Sequence, residues 1–233
     1  VSKRVSTSTS LSLSGLKLGT TYQIRVAAVN ANGTGDYVYG QFTTLATVST
    51  APTALSSTAV SSSGFILNWT APSSNGGATI SDYIVEINGG GFSWSPLAHN
   101  PSANASITVS GLNPAVKYSI RVKAVNSVGV SKISSTLNVT TLPVLPSTPV
   151  VSLKSVTSTG AVLTWTAPNN GGSKITDYLA EVSTDNGQTW KTVVKTASSS
   201  ASLTLKNLKT KTSYLFRISA KNSVGNSNPS EAL

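Results

Sequence analysis

Apolar and polar residues alternate along much of the chain with a period of two. In the segment Tyr118–Ala124, apolar side chains are separated by serine, arginine and lysine. Because successive side chains of a β-strand point to opposite faces, this pattern predicts a strand with one buried and one solvated face. The segments Gly64–Trp69 and Gly160–Trp165 alternate in the same way and run into Ala-Pro and Asn-Gly-Gly, which favour turns. No capped amphipathic helix is predicted, so the pattern favours an all-β sandwich architecture.

The strand pattern recurs at a fixed distance. Tyr22–Asn30, Tyr118–Asn126 and Tyr214–Asn222 share the pattern Tyr-x-Ile/Phe-Arg-Val/Ile-x-Ala-x-Asn, and each copy begins 96 residues after the one before. The same offset relates two pairs of tryptophans and three leucines, namely Trp69 and Trp165, Trp94 and Trp190, and Leu16, Leu112 and Leu208. Repetition at one period is typical of tandem copies of a single domain.

Alignment of the copies predicts three domains. Residues 1–47 correspond to the C-terminal half of a domain, 48–143 to a complete domain, and 144–233 to a domain that lacks most of its last strand. We expect the chain to be a window on a longer array, because each cut through a sandwich exposes core and a sheet edge.

The repeat resembles a fibronectin type III domain of the kind found in bacterial secreted and cell-surface proteins. The resemblance is carried by Trp69 and Trp165, by the repeated tyrosine strand, and by the leucine six residues before each tyrosine. It implies immunoglobulin-like sandwiches arranged as beads on a string. It also implies that Tyr22, Tyr118 and Tyr214 form tyrosine corners, whose hydroxyls bond to the backbone near the preceding turn.

Composition limits the chemistry that the chain can perform. Charged residues make up 10% of the sequence, and there is neither cysteine nor methionine. Disulfide and thiolate chemistry are therefore excluded, and a chain without sulfur suits an extracellular or cell-surface location. No run of 18 apolar residues occurs, so we expect no membrane insertion in this segment.

One short motif suggests an enzyme. Ser183–Trp190, with the sequence STDNGQTW, resembles the Asp-box found on the propeller blades of sialidases. Propeller blades, however, repeat every 40 to 50 residues or so, whereas this chain repeats at 96. Asn186 and Gly187 tolerate the positive φ of a tight turn, which predicts a local hairpin instead. His99 is the only histidine and lies in a loop, so we expect no catalytic residues, no cofactor and no metal site.

The net charge of +10 raises the question of an anionic partner. Half of this excess lies in the third domain, where Lys206, Lys209 and Lys211 cluster near the turn before Tyr214. This cluster could attract an anionic cell-wall polymer, whereas an ordinary solvated face is the alternative. Aromatic residues interleaved with arginines are absent, so we expect no nucleic-acid binding.

Exposed aromatic residues offer a second candidate surface. Tyr37 and Tyr39 share one face of a strand, and Phe92 and Trp94 flank a glycine-rich turn. Either pair could stack on a glycan, but both could equally cover a sandwich edge or contact the next domain or another protein subunit.

The linkers differ in proline content. Thr43–Pro52 contains one proline, whereas Leu142–Pro149 contains three at a spacing of three. Because closely spaced prolines favour an extended polyproline path, we expect the second joint to be the stiffer one.

These observations predict a non-enzymatic structural or adhesive segment, acting as stalk, spacer or assembly surface, of a larger secreted or cell-surface protein. Two alternatives remain open. The segment could be an accessory spacer or carbohydrate-binding region of an extracellular polysaccharide-degrading enzyme, or a decoration on a phage tail or capsid. In each case its partners include neighbouring domains of the array.

Overall fold

The computed structural model describes residues 6–233, and within that range the regular structure consists of β-strands only. In the first domain, β1 pairs antiparallel with β4, and β2 pairs with β3. The strands are β1 (Thr21–Val26), β2 (Val29–Asn30), β3 (Gly33–Thr34) and β4 (Val38–Thr43). Ile24 and Val26 on β1 are 40% and 63% exposed, because no second sheet covers them among the described residues.

The second domain is a sandwich of two antiparallel sheets. One sheet has the order β5-β6-β9, and the other has the order β11-β10-β7-β8 with β12 also paired to β10. Its strands are β5 (Thr53–Thr58), β6 (Phe65–Thr70), β7 (Ile80–Gly89), β8 (Phe92–Pro96), β9 (Ser106–Val109), β10 (Lys117–Asn126), β11 (Gly129–Val130) and β12 (Leu137–Thr140).

The third domain repeats this arrangement with two three-stranded sheets. Their orders are β13-β14-β17 and β16-β15-β18. Its strands are β13 (Val150–Thr157), β14 (Gly160–Thr166), β15 (Asp177–Ser183), β16 (Lys191–Thr192), β17 (Ser202–Leu205) and β18 (Leu215–Lys221). Leu233 exchanges two backbone hydrogen bonds with Phe216, at the position where Leu137 pairs with Ile120 in the second domain.

A tryptophan anchors the core of each sandwich. Trp69 packs edge-on against Tyr83 with ring centroids 5.0 Å apart, and Trp165 packs against Tyr178 at 4.9 Å. Both tryptophans are 7% exposed. The alternating apolar residues of β10 and β18 line the same cores, as expected for strands with one buried face.

Candidate functional site

The structure places a tyrosine corner before each repeated strand. The hydroxyl oxygens of Tyr22, Tyr118 and Tyr214 accept hydrogen bonds from the backbone N–H groups five residues upstream, at 2.8, 2.9 and 2.8 Å. These bonds fix the turn that precedes the strand. In the first two domains that turn forms one side of an interdomain joint, so the corner positions the joint.

A threonine closes the turn in the first two domains. The Thr141 hydroxyl donates to the carbonyl oxygen of Asn113 at 2.6 Å and accepts from the backbone N–H of Val116 at 3.1 Å. The Thr44 hydroxyl makes the equivalent bonds to Lys17 and Thr20 at 2.6 and 2.9 Å. Thr141 is 2% exposed, so its hydroxyl satisfies backbone groups that water reaches poorly.

A buried asparagine fastens each linker to the domain that follows it. The Asn126 side-chain amide donates to the carbonyl oxygens of Thr47 in the linker and Asn75 in a loop, both at 2.9 Å. Its Oδ1 accepts from the N–H groups of Val128 and Gly129 at 3.0 and 3.1 Å. One side chain therefore ties the linker, the loop and the β10–β11 hairpin together.

Asn222 makes the same four bonds at the second joint. Its amide donates to Val144 and Asn170 carbonyl oxygens at 2.7 and 2.9 Å, and its Oδ1 accepts from Val224 and Gly225 at 2.8 and 3.1 Å. Asn126 and Asn222 are 4% and 2% exposed. We did not single out these asparagines from the sequence, although both end the repeated strand motif.

Glycines let the domains approach closely. A Cβ at Gly77 would lie 2.5 Å from the Leu18 carbonyl carbon, and a Cβ at Gly172 would lie 2.1 Å from the Cβ of Ala115. Both positions have positive φ, 80° and 81°. Any side chain at either position would therefore force the neighbouring domain away.

The two linkers are bonded alike despite their different proline content. Thr47 and Val144 each donate a backbone N–H to the glycine of the following loop at 2.8 Å, and Thr50 and Ser147 donate to that loop at 2.9 Å. Hydrogen bonds between the linker and a loop of the following domain thus restrict the first joint as they restrict the second. The three prolines remain a reason to expect a stiffer second joint, but the hydrogen bonds do not distinguish the two.

An ion pair stacked on tryptophan lies on the outer face of the second domain. Glu86 on β7 accepts from Arg121 at 2.7 Å and Lys123 at 2.9 Å, both on β10. The guanidinium carbon of Arg121 lies 3.9 Å from the ring centroid of Trp94. The hydrogen bond from Lys123, supported by Arg121, lowers the pKa of the Glu86 carboxyl below its ordinary value. Trp94 is therefore engaged within its own domain.

The third domain has the same stack with one cation fewer. Arg217 donates to Glu181 at 2.7 Å, and its guanidinium carbon lies 4.2 Å from the Trp190 ring centroid. Ser219 stands at the position of Lys123. In the first domain Arg25 lies over the Tyr37 ring at 4.4 Å.

The Asp-box-like stretch is a hairpin between β15 and β16. Asp185 accepts hydrogen bonds from the Ser183 hydroxyl at 2.6 Å, from the Thr189 N–H at 2.9 Å, and from the Thr189 hydroxyl. The Trp190 indole N–H donates to the Gly187 carbonyl oxygen at 3.1 Å. These bonds, with Ser183 foremost, lower the pKa of Asp185 well below its ordinary value. The aspartate thus accepts from side chains as well as from the backbone.

The predicted core residues differ in burial between domains. Trp69, Trp165, Leu112 and Tyr118 are buried, whereas the remaining four are half-buried: Leu16, Tyr22, Leu208 and Tyr214. The half-buried residues belong to the two domains in which part of the sandwich is not present among the described residues.

The predicted ligand surfaces are not brought together. Tyr37, Tyr39 and Phe92 are 44%, 70% and 47% exposed and lie in different domains from the lysine cluster. The side chains of the lysine cluster are exposed: Lys206, Lys209 and Lys211.

No metal-binding cluster of His, Asp or Glu residues occurs within residues 6–233. His99 Nδ1 lies 3.9 Å from Oδ1 of Asp82. The same carboxylate oxygen accepts a hydrogen bond from the backbone N–H of Ser102. In the same range no helix is long and apolar enough to cross a membrane.

Comparison with known proteins identifies the repeats. Residues 50–140 and 146–233 match the family model of the fibronectin type III domain. Fast-type myosin-binding protein C from Homo sapiens is 29% identical over 215 residues, which cover 89% of this chain and 18% of that protein. Titin from Drosophila melanogaster is 29% identical over 222 residues, which cover 90% of this chain and 1% of titin.

A crystal structure of chicken CNTN1 FN1–FN3 domains covers 93% of this chain, and the match covers 77% of that chain, with 22% identity and a TM-score of 0.40. The chain spans less than a fifth of either curated relative. Both curated relatives come from animals, so they lend no support to the bacterial kind that the sequence suggested.

Proposed function

The chain belongs to the fibronectin type III family, and on that premise we propose that it serves as a non-enzymatic structural segment that holds successive domains at a set spacing and angle. The observation that carries this proposal is the buried asparagine at each joint. Asn126 and Asn222 make the same four hydrogen bonds at two joints whose linker sequences differ.

The physical argument rests on the cost of opening the joint. Separation of the first linker from its loop would break the bond from the Asn126 amide to the Thr47 carbonyl oxygen and the bond from the Thr47 N–H to the Gly76 carbonyl oxygen. Each group left without a partner costs about 1–3 kcal/mol where water cannot replace the lost bond. The contact of Gly77 with Leu18, and of Gly172 with Ala115, further narrows the accessible interdomain angles, because each glycine packs against the neighbouring domain with no side chain of its own. Such a joint transmits orientation from one domain to the next.

The proposal is tested by the width of the interdomain distance distribution. The chain has no cysteine, so spin labels at Ser110→Cys and Thr204→Cys report only the second and third domains. We expect a narrow distribution by pulsed electron paramagnetic resonance. Asn222→Asp should broaden it, because a carboxylate replaces the amide that donates to the carbonyl oxygens of Val144 and Asn170.

Asn228→Asp is the matched control. Asn228 is exposed, and its side chain makes no hydrogen bond within the described part of the chain. The substitution introduces the same charge elsewhere in the third domain and should leave the distribution unchanged. A broad distribution in the parent chain, or equal widths for the two variants, would show that the joint does not hold the domains.

We further propose that the segment works outside the cell or at the cell surface. The absence of cysteine and methionine supports this location, as does the low content of charged side chains. The exposed lysine cluster of the third domain supports adhesion to an anionic polymer. Protease treatment of intact cells should remove the segment, and survival of the segment inside protected cells would contradict this location.

A further inference from the structure

The two joints differ at one buried position of the linker. Ser49 in the first linker is 5% exposed, and its hydroxyl oxygen has no hydrogen-bond partner within residues 6–233. Pro146 occupies the same place in the second linker and is buried as well. The first linker therefore buries a polar group without a partner at a position where the second linker buries an apolar ring.

The hydrogen bonds on either side of this position hold the two linkers equally. Thr47 and Thr50 donate their backbone N–H groups to the loop of the second domain at 2.8 and 2.9 Å, and Val144 and Ser147 donate to the third domain at the same lengths. A Cβ on the nearest loop glycine of either joint would lie 2.2 Å from a linker carbonyl oxygen. Since the closed geometry is shared, the exchange of serine for proline is a difference in chemistry at one site.

This difference changes the balance between a closed joint and an open one, in which the linker has separated from the loop. Opening lets water bond to the Ser49 hydroxyl, so the first joint recovers a hydrogen bond that the closed form lacks. Pro146 has no such group to hydrate. Its ring also fixes φ, so the open second linker gains fewer conformations than a serine would allow. Both effects favour opening at the first joint.

We propose that the first joint is a hinge built into the array, which opens by release of the linker at Ser49 while the second joint stays closed. The proposal rests on the proposed function, because it presumes that the linker bonds hold each joint. The second and third domains then keep a fixed relative orientation, and the array bends between the first domain and the second. Ser49 would be the residue that sets the place of bending.

Amide hydrogen exchange of the full chain, followed by NMR, measures the opening of each joint separately. The N–H groups of Thr47 and Val144 each donate to a loop carbonyl oxygen of their own joint, so their protection factors report its opening. We expect Val144 to be protected at least about tenfold more than Thr47. Ser49→Ala removes the hydroxyl without adding a proline, and it should raise the protection of Thr47 about tenfold and leave Val144 unchanged.

The reciprocal variant Pro146→Ser is the matched control. It should lower the protection of Val144 and leave Thr47 unchanged. The buried amides of Val122 and Ala220 donate to serine hydroxyls inside the second and third domains, and unchanged protection there shows that both domains remain folded.

Two outcomes separate the hinge from the proposed function. Equal protection of Thr47 and Val144 in the parent chain, or no change at Thr47 in Ser49→Ala, would overturn the hinge and leave both joints held. A lack of protection at both amides would overturn the proposed function together with the hinge, because the linker bonds would then hold neither joint.

Discussion

The second and third domains share a tryptophan-anchored core and a tyrosine corner but differ on their outer faces. In the second domain two cations hold Glu86, whereas in the third a single cation holds Glu181. The hairpins before the stacked tryptophans differ as well, since three glycines form one turn and Asp185 collects hydrogen bonds in the other. The two domains therefore combine the same core with different contacts on the outside of the sheet.

Because the two domains share this core, we expect the core tryptophan to contribute most to the free energy of unfolding in each of them. Trp165→Ala should destabilise the third domain by about 3–5 kcal/mol through lost transfer energy and a cavity. Thermal unfolding of the full chain should then show the third-domain transition displaced and the second-domain transition in place. Val194→Ala is the control, because Val194 is 98% exposed. An unchanged third-domain midpoint in the Trp165 variant would contradict the assignment of this residue to the core.

Removal of the Thr141 hydroxyl should weaken the tyrosine corner of the second domain. Thr141→Val deletes the bonds to Asn113 and Val116 and leaves two poorly hydrated backbone groups without partners. We expect a loss of about 1–3 kcal/mol in the free energy of unfolding of the second domain. The adjacent Thr140→Val changes an exposed side chain and should cost little. Equal midpoints for the two variants, measured by urea titration, would show that the Thr141 hydroxyl does not stabilise the corner.

The sequence predicted the features that depend on alternation and repetition. The apolar residues of β10 recur at every second position, so the strand, its buried face and the sandwich follow from the pattern alone. The tyrosine corners followed from the family resemblance. The hairpin at Asn186 and Gly187 was predicted from turn chemistry, and both residues have positive φ in the structure.

The sequence did not reveal how the joints are held. Asn126 and Asn222 are polar residues at the end of an apolar alternation, and their bonds reach residues 79 and 78 positions away. Such contacts depend on the path of the linker, which periodicity does not encode. A usable signal was nevertheless present, since asparagine recurs at the same place in every copy, and Thr-Thr-Leu recurs at 43–45 and 140–142.

The outer faces of the two sandwiches should differ in their response to acid. Glu86 is held by two cations and Glu181 by one. The pKa of Glu86 is lowered in the folded state. Its contribution to the free energy of unfolding is therefore fully present above the unfolded-state pKa and is lost as the pH falls through the folded-state pKa.

Lys123→Ser gives the second domain the arrangement of the third. We expect it to cost up to about 1 kcal/mol at neutral pH and progressively less as the pH falls through the lowered pKa of Glu86 in the folded state. Urea titrations across this range measure the difference. The exposed Lys132→Ser is a control for the loss of one positive charge. A cost that persists undiminished in acid would mean that Lys123 stabilises the domain by packing rather than by its bond to Glu86.

The hairpins that carry Trp94 and Trp190 offer the last and smallest test of the comparison. The second domain turns with three glycines, Gly89 to Gly91, whereas the third uses Asp185 to collect hydrogen bonds from Ser183 and Thr189. Asp185→Asn keeps the size of the side chain but replaces one acceptor oxygen with a donor, so it should loosen the turn locally. We expect faster amide hydrogen exchange at Thr189 by NMR, with the third-domain midpoint unchanged within error. The exposed Asp36→Asn removes the same charge from another domain and should leave Thr189 protected. A fall in the unfolding midpoint comparable with that of Trp165→Ala would mean that Asp185 stabilises the whole third domain. The glycine turn and the Asp185 turn would then differ in their contribution to domain stability and not only in how they form a hairpin.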